Sequence, residues 1–135
     1  MPEIGGVALS NAYEKGRRFE YRVRDYLTGL GYLVIRSPQS RSPFDLIAIM
    51  PQDLPILLVQ CKVDGVLPPS EWNALFELTQ RYPVMALCVF RAKRKLEWRR
   101  LMAAKVGRRT QPWLRVCIGE KDGKSLDPAR ALREP

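Results

Sequence analysis

Histidine is missing from all 135 residues. Its absence excludes Ser-His-Asp triads, imidazole general bases and His-ligated zinc together. Any catalysis must then rest on carboxylates, Lys, Tyr, Ser, Cys or a bound metal. Cysteine is scarce: Cys61, Cys88 and Cys117 are an odd number with no CxxC spacing. Each lies in an apolar run, which predicts small buried thiols in a reducing compartment rather than a disulfide or a metal cage. No apolar run approaches the ~20 residues of a membrane span. The opening MPEIGGVALSNAYEK has neither the basic start nor the apolar core of a signal peptide. Internal repeats are absent, and no linker is long enough to separate domains. Acids are few, 14 against 23 Lys and Arg, for a net charge of +9. That excess favours a polyanionic partner, nucleic acid first and an anionic membrane surface second.

The remaining composition, 46% hydrophobic, suits one domain with a real core. A helix is predicted over about 12–30, capped by Asn11 with Glu14 closing a capping box and ended by Gly31. Strands follow at 32–36, 44–50 and 56–62, separated by the loop 37–43 and the turn PQDLP. The second and third of these are nearly continuous Leu, Ile and Val, the pattern of strands covered on both faces. A helix over 70–81 begins at Ser70 after two prolines. A strand follows at 84–91, then the basic turn AKRK, a strand near 95–101 and a last one within 113–119. This order predicts an α/β fold, a central mixed sheet flanked by helices. One domain spans 1–135, with its core at about 11–118 and flexible ends at 1–10 and 120–135.

Two of these core strands carry chemistry. Asp45 opens one, and Gln60 and Lys62 close the next. Residues two apart in a strand share a face, so Gln60 and Lys62 point one way and Cys61 the other. If 44–50 and 56–62 form a hairpin, Asp45 meets both at one end of the sheet. On the first helix, Phe19, Val23, Tyr26, Leu27 and Leu30 form the apolar stripe, and Glu20 lies on it one turn from Gly16 and Val23. A carboxylate aimed at a core requires a cation, hydrogen bonds or a metal. Two carboxylates and an amide oxygen suit Mg²⁺ or Mn²⁺.

The spacing Asp45, fourteen residues, Gln60-Cys61-Lys62 resembles the PD-(D/E)XK nuclease signature in a Gln variant. Its surroundings are Lys15-Gly16-x-x-x-Glu20, Leu27-x-x-Leu30-Gly31-Tyr32, Arg36-x-Pro38-x-Ser40 and Asp45-x-Ile47-Ala48. Together they resemble the archaeal-type Holliday-junction resolvases, which also occur in viruses, over about residues 13–91. The resemblance implies a restriction-endonuclease-like core and a homodimer that nicks four-way DNA junctions in pairs with Mg²⁺ or Mn²⁺. It implies a cytoplasmic location, or the host cytoplasm for a viral member, and no membrane partner. It further implies metal ligation by Glu20, Asp45 and Gln60, a transition-state role for Lys62, and a place for Ser40 in the active region. Two departures stand out. Gln60 replaces the usual acid and removes one negative charge, and Phe44 precedes Asp45 where proline is usual, Pro43 lying one position earlier. Related readings are a nuclease acting on flaps, nicks or duplex, and a catalytically silent DNA-binding module, for which Gln60 is the best argument.

Basic residues outside this centre suit a phosphate track. Lys15, Arg17, Arg18, Arg22 and Arg24 lie along the first helix. Arg36 and Arg41 flank the Ser40 loop, and Arg91, Lys93, Arg94, Lys95, Arg99 and Arg100 form a second cluster. Trp72, Trp98 and Trp113 are too scattered to read as a base-stacking platform and are assigned to packing or dimer contacts. The apolar candidates for a dimer interface are Trp72, Leu75 and Phe76 on the second helix, and Trp113 and Leu114 late in the chain.

Overall fold

The computed structural model describes residues 3–37, 42–50, 56–107 and 112–119, with 3–11 as backbone only. The long first helix α1 (Glu3–Gly29) is followed by β1 (Leu33–Arg36), β2 (Leu46–Ile49), β3 (Ile56–Cys61), α2 (Pro69–Arg81), β4 (Val84–Ala92), β5 (Lys95–Leu101) and β6 (Trp113–Val116). The helix starts well before Asn11, which is therefore an interior residue and not a cap. Asn carries only a small interior penalty, under about 0.7 kcal/mol. A helix already anchored by packing downstream propagates through it one hydrogen bond per residue. The C-terminus follows expectation. Gly31 takes φ +103, Tyr32 N donates to Leu27 O at 3.1 Å and Gly31 N to Thr28 O at 3.0 Å, which is a Schellman ending. Helix α2 begins one residue before Ser70: Pro68 stands at the cap and Pro69 opens the helix, with no side-chain cap bond.

The six strands form one sheet in the order β1-β2-β3-β4-β5-β6. Every pairing is antiparallel except β3 with β4, whose parallel partnership is bridged by α2. Helix α1 covers one face. Phe19, Val23 and Leu27 pack with Leu46, Ala48, Leu57, Val59, Leu87, Val89 and Trp98. Helix α2 covers the other, where Trp72 and Leu75 meet Leu58, Ala86, Cys88 and Leu101. Apolar cover on both faces of β3 explains its continuous apolar run, whereas β2, expected to be covered likewise, alternates: Leu46 and Ala48 are buried on the α1 face and Ile47 and Ile49 are only half-buried. Trp72 and Leu75, at 5% and 0% exposure, are thus core residues of this chain rather than interface candidates. Tyr26 and Leu30 sit at the border of the α1 stripe, Tyr26 39% exposed, with its hydroxyl donating to Ile118 O. The turn at 51–55 and the tail at 120–135 lie outside the described residues.

Candidate active site

The β2–β3 hairpin brings together the residues singled out by spacing. Leu46 pairs with Val59, so Asp45 sits just before β2, beside the last residues of β3. Its backbone is fixed from both sides: Asp45 N donates to Val59 O at 2.8 Å, and Ser37 N donates to Asp45 O at 2.8 Å. The carboxylate Oδ2 accepts Cys61 N at 2.8 Å. Alternation turns Gln60 and Lys62 toward the α2 face, while Cys61 packs against the α1 core. Lys62 N continues the ladder by donating to Val89 O at 2.9 Å, so its side chain leaves from a fixed backbone.

Electrostatics single out Asp45. Its pKa is pushed up to about 6, first by burial; the Cys61 N–H opposes this, Glu20 and Glu71 push upward, and Lys62 pulls downward. Groups from α1, β3 and α2 therefore share one field at the end of the hairpin. Gln60 is 8% exposed, and its Oε1 is buried with no hydrogen-bond partner. An orphaned buried acceptor costs about 1–3 kcal/mol and marks a position that a cation or a water would satisfy. Asp45 and Gln60 are thus a donor pair that can hold a hard divalent cation. Among the described residues no three Cys, Asp, Glu or His side chains gather into a metal cluster. Within this group Gln60 stands where a third acid would be, and Glu20 is engaged from β1: its Oε1 accepts Arg36 Nε at 3.0 Å. Ser40 and Arg41 lie outside the described residues. On either side of that segment, the Ser37 and Ser42 hydroxyls bond each other at 2.6 Å.

Spacing offered no hint of Glu71. From the first turn of α2 its Oε1 meets Lys62 Nζ at 2.9 Å. The only local signal was its place shortly after two prolines, where an acid favours a helix N-terminus. Of the three cysteines expected to be buried, Cys88 is buried and Cys61 and Cys117 are half-buried. All three are free; burial pushes Cys88 up to about 12 and Cys61 well above the usual thiol range, so neither is a nucleophile at neutral pH.

The basic residues do not form two separate clusters. Arg22 Nη2 donates to Arg94 O at 2.6 Å, which joins α1 to the turn between β4 and β5 and brings Lys93 and Arg94 beside the helix. Tyr21, which spacing did not single out, gathers guanidinium groups: Arg17, Arg24 and Arg36 lie 5.6, 4.6 and 5.2 Å from its ring centre. Arg17 also donates to the Tyr21 hydroxyl at 2.9 Å. These contacts restrain three guanidinium groups around one ring. Arg24 is drawn to Asp25 at 3.0 Å. Lys15, Arg18, Arg91 and Lys95 are exposed. Arg99, by contrast, lies between the Phe90 and Trp113 rings on the α2 face.

No protein-family model and no curated protein matches this chain. Among solved structures it is similar to Hjc of Archaeoglobus fulgidus, a Holliday junction resolvase from an archaeal hyperthermophile. The TM-score is 0.54 and the identity 22%, over 73% of this chain and 80% of that one. The likeness is one of fold: the mixed six-stranded sheet flanked by helices is restriction-endonuclease-like.

Proposed function

We propose that this chain is a metal-dependent endonuclease of branched DNA, with four-way junctions as its principal substrate. The observation that carries the reading is the convergence of Asp45, the unsatisfied Gln60 Oε1 and Lys62 at the end of one hairpin. Asp45 and Gln60 would hold Mg²⁺ or Mn²⁺, with Glu20 joining them when Arg36 turns to a phosphate. Once bound, such a cation supplies Lewis-acid stabilisation of the phosphate and a more acidic water. The protein's own groups do the rest. Lys62 donates to a non-bridging oxygen of the phosphate as negative charge builds on it. Glu71 keeps the Lys62 ammonium directed along the end of β3. The Arg17–Tyr21–Arg36 lattice and the Arg22–Arg94 junction hold neighbouring phosphates without reading bases. Ser40, Arg41, Lys15, Arg18, Arg91, Lys93 and Lys95 extend the same track in this reading.

A four-way junction needs two opposed cuts, and a C2 dimer places two centres on one substrate. Sedimentation of the free protein should therefore give about twice the 15.5 kDa chain mass. No helix among the described residues is long and apolar enough to cross a membrane, and the charge favours DNA as the partner. The deciding experiment incubates the protein with a four-way junction, a flap and linear duplex, with Mg²⁺, with Mn²⁺ and with EDTA. Paired nicks in the junction arms that require the metal support the proposal. Junction binding without cutting under every condition would instead make the chain a silent DNA-binding module, the role for which the neutral Gln60 argues. Cutting of flap or duplex in preference to the junction would assign it to the related nucleases.

A further inference from the structure

A cleft opens on the α2 face of the sheet. It has a volume of about 200 Å³ and is lined by Gly65, Val66 and Leu67 of the loop after β3, Trp72 of α2, Cys88 and Phe90 of β4, Arg99 and Leu101 of β5, and Lys105. Two cations enter it, each against aromatic rings. The Arg99 guanidinium lies 4.1 Å from the Phe90 centroid and 4.0 Å from that of Trp113. Lys105 Nζ lies 5.3 Å from the Trp72 centroid. Glu97 bonds Arg99 through Nε and Nη2, at 3.0 and 2.9 Å, and Nη1 takes no part in that pair. Among the described residues no carboxylate pairs with Lys105. Its backbone is fixed instead: Lys105 N donates to Asn73 Oδ1 at 2.7 Å, and Trp72 Nε1 donates to Ala103 O at 2.9 Å.

The position of the cleft relates it to the centre. Gln60 pairs with Cys88 across β3–β4, and Cys88 pairs with Arg99 across β4–β5. The three residues form one row on one face, so Arg99 starts two strand spacings, roughly 10 Å, from Gln60. The loop between them is pressed onto β4: Gly65 has φ +78, and a Cβ there would lie 3.0 Å from the Phe90 ring. Val66, next in the chain, is 61% exposed at the cleft mouth. Two cations above an apolar floor in one cleft suit a nucleotide: phosphate to Lys105 and Arg99, and the base against the exposed Val66 at the mouth, with Trp72 buried beneath as floor. Paired bases inside a duplex offer no free face to such a surface, whereas a base whose pair opens at a branch point does.

We propose that this cleft takes one unpaired nucleotide flanking the scissile phosphate, so that the protein reads a branch by the base it leaves unstacked. This rests on the DNA reading above, and its test is a binding measurement that needs no cleavage. The probe is 5′-phosphorylated tetrathymidylate, titrated in Ca²⁺ and followed by tryptophan fluorescence, since Trp72 borders the cleft and Trp113 stacks on Arg99. Saturable quenching is expected. Lys105→Glu and Val66→Asp, both surface changes, should each weaken it about tenfold or more, the size of one charged hydrogen bond. Lys105→Arg should keep it. In Lys105→Glu the slope of log affinity on log salt should fall by about 0.7, because one phosphate is no longer neutralised. Absence of saturable quenching, or unchanged affinity in both charge variants, would overturn the proposal. Junction cleavage by the unaltered protein separates the two ideas. Cutting without tetrathymidylate binding removes the cleft and leaves the nuclease. Binding that responds to Lys105 and Val66 without any cutting leaves the cleft as a single-strand site and removes the nuclease.

Discussion

Asp45→Asn tests the centre through stability rather than activity. Folding moves this carboxyl from an ordinary 3.8 to about 6. At 1.36 kcal/mol per pH unit, burying the charged form costs about 3 kcal/mol at neutral pH. Relaxation and water entry reduce that to about 1–3 kcal/mol. Because the folded pKa is the higher one, the protonated acid favours the fold; that contribution is complete below pH 3.8 and is lost as the pH rises through about 6. Asn has no such dependence, and its Oδ1 can still accept the Cys61 N–H that Oδ2 accepts now. Urea unfolding in EDTA, followed by tryptophan fluorescence, should give similar stabilities for the two proteins near pH 3.5. A gap favouring the variant should open between about pH 4 and 6 and stay constant above. Adding Mg²⁺ at pH 7.5 should raise the stability of the native protein alone, by mass action on the folded state, while the Asp45→Asn variant cleaves nothing. Parallel stability curves across pH 3.5–8, or a variant less stable at pH 7, would refute a desolvated carboxylate at this position.

Glu20→Gln should reduce cleavage by about 10²-fold while stability changes by less than about 1 kcal/mol, because the Arg36 contact is only partly buried; full activity would assign Glu20 to the Arg36 pair alone. Lys62→Ala should leave junction binding in Ca²⁺ intact and lower saturated cleavage in Mg²⁺ by orders of magnitude, and parallel loss of both would remove its role on the transition state. Glu71→Ala should lower saturated cleavage by about 10- to 100-fold through a misdirected Lys62, with junction binding unchanged or tighter; wild-type rates would reduce the pair to a surface contact. Neutralising Arg17 and Arg18 together should weaken junction binding and flatten its salt slope by close to one for each phosphate left without a cation, with cleavage recovering at saturating protein, as gel-shift and cleavage assays run side by side would read.

Local rules were enough for much of this molecule. Strand alternation and a short connection place Asp45 beside Gln60 and Lys62, because both act within about 20 residues of chain, and the register of Leu46 on Val59 follows from them. The α1 stripe of Phe19, Val23 and Leu27 is equally local, as is the glycine ending of that helix. Local reading failed where packing outweighs weak preferences. Asn11 is a good cap, but tertiary anchoring carries the helix past it. Trp72 and Leu75 read as an open apolar face because nothing in their own helix says that Leu58 and Ala86 lie beneath them. The tertiary structure alone decided the long-range meetings. The α2 crossover delivers Glu71 to Lys62, the β4–β5 turn meets Arg22, and the strand order sets Arg99 between Phe90 and Trp113 beside the residues that flank Gln60. Such meetings depend on where whole elements dock, a property of the packed sheet and helices that no spacing along one segment contains.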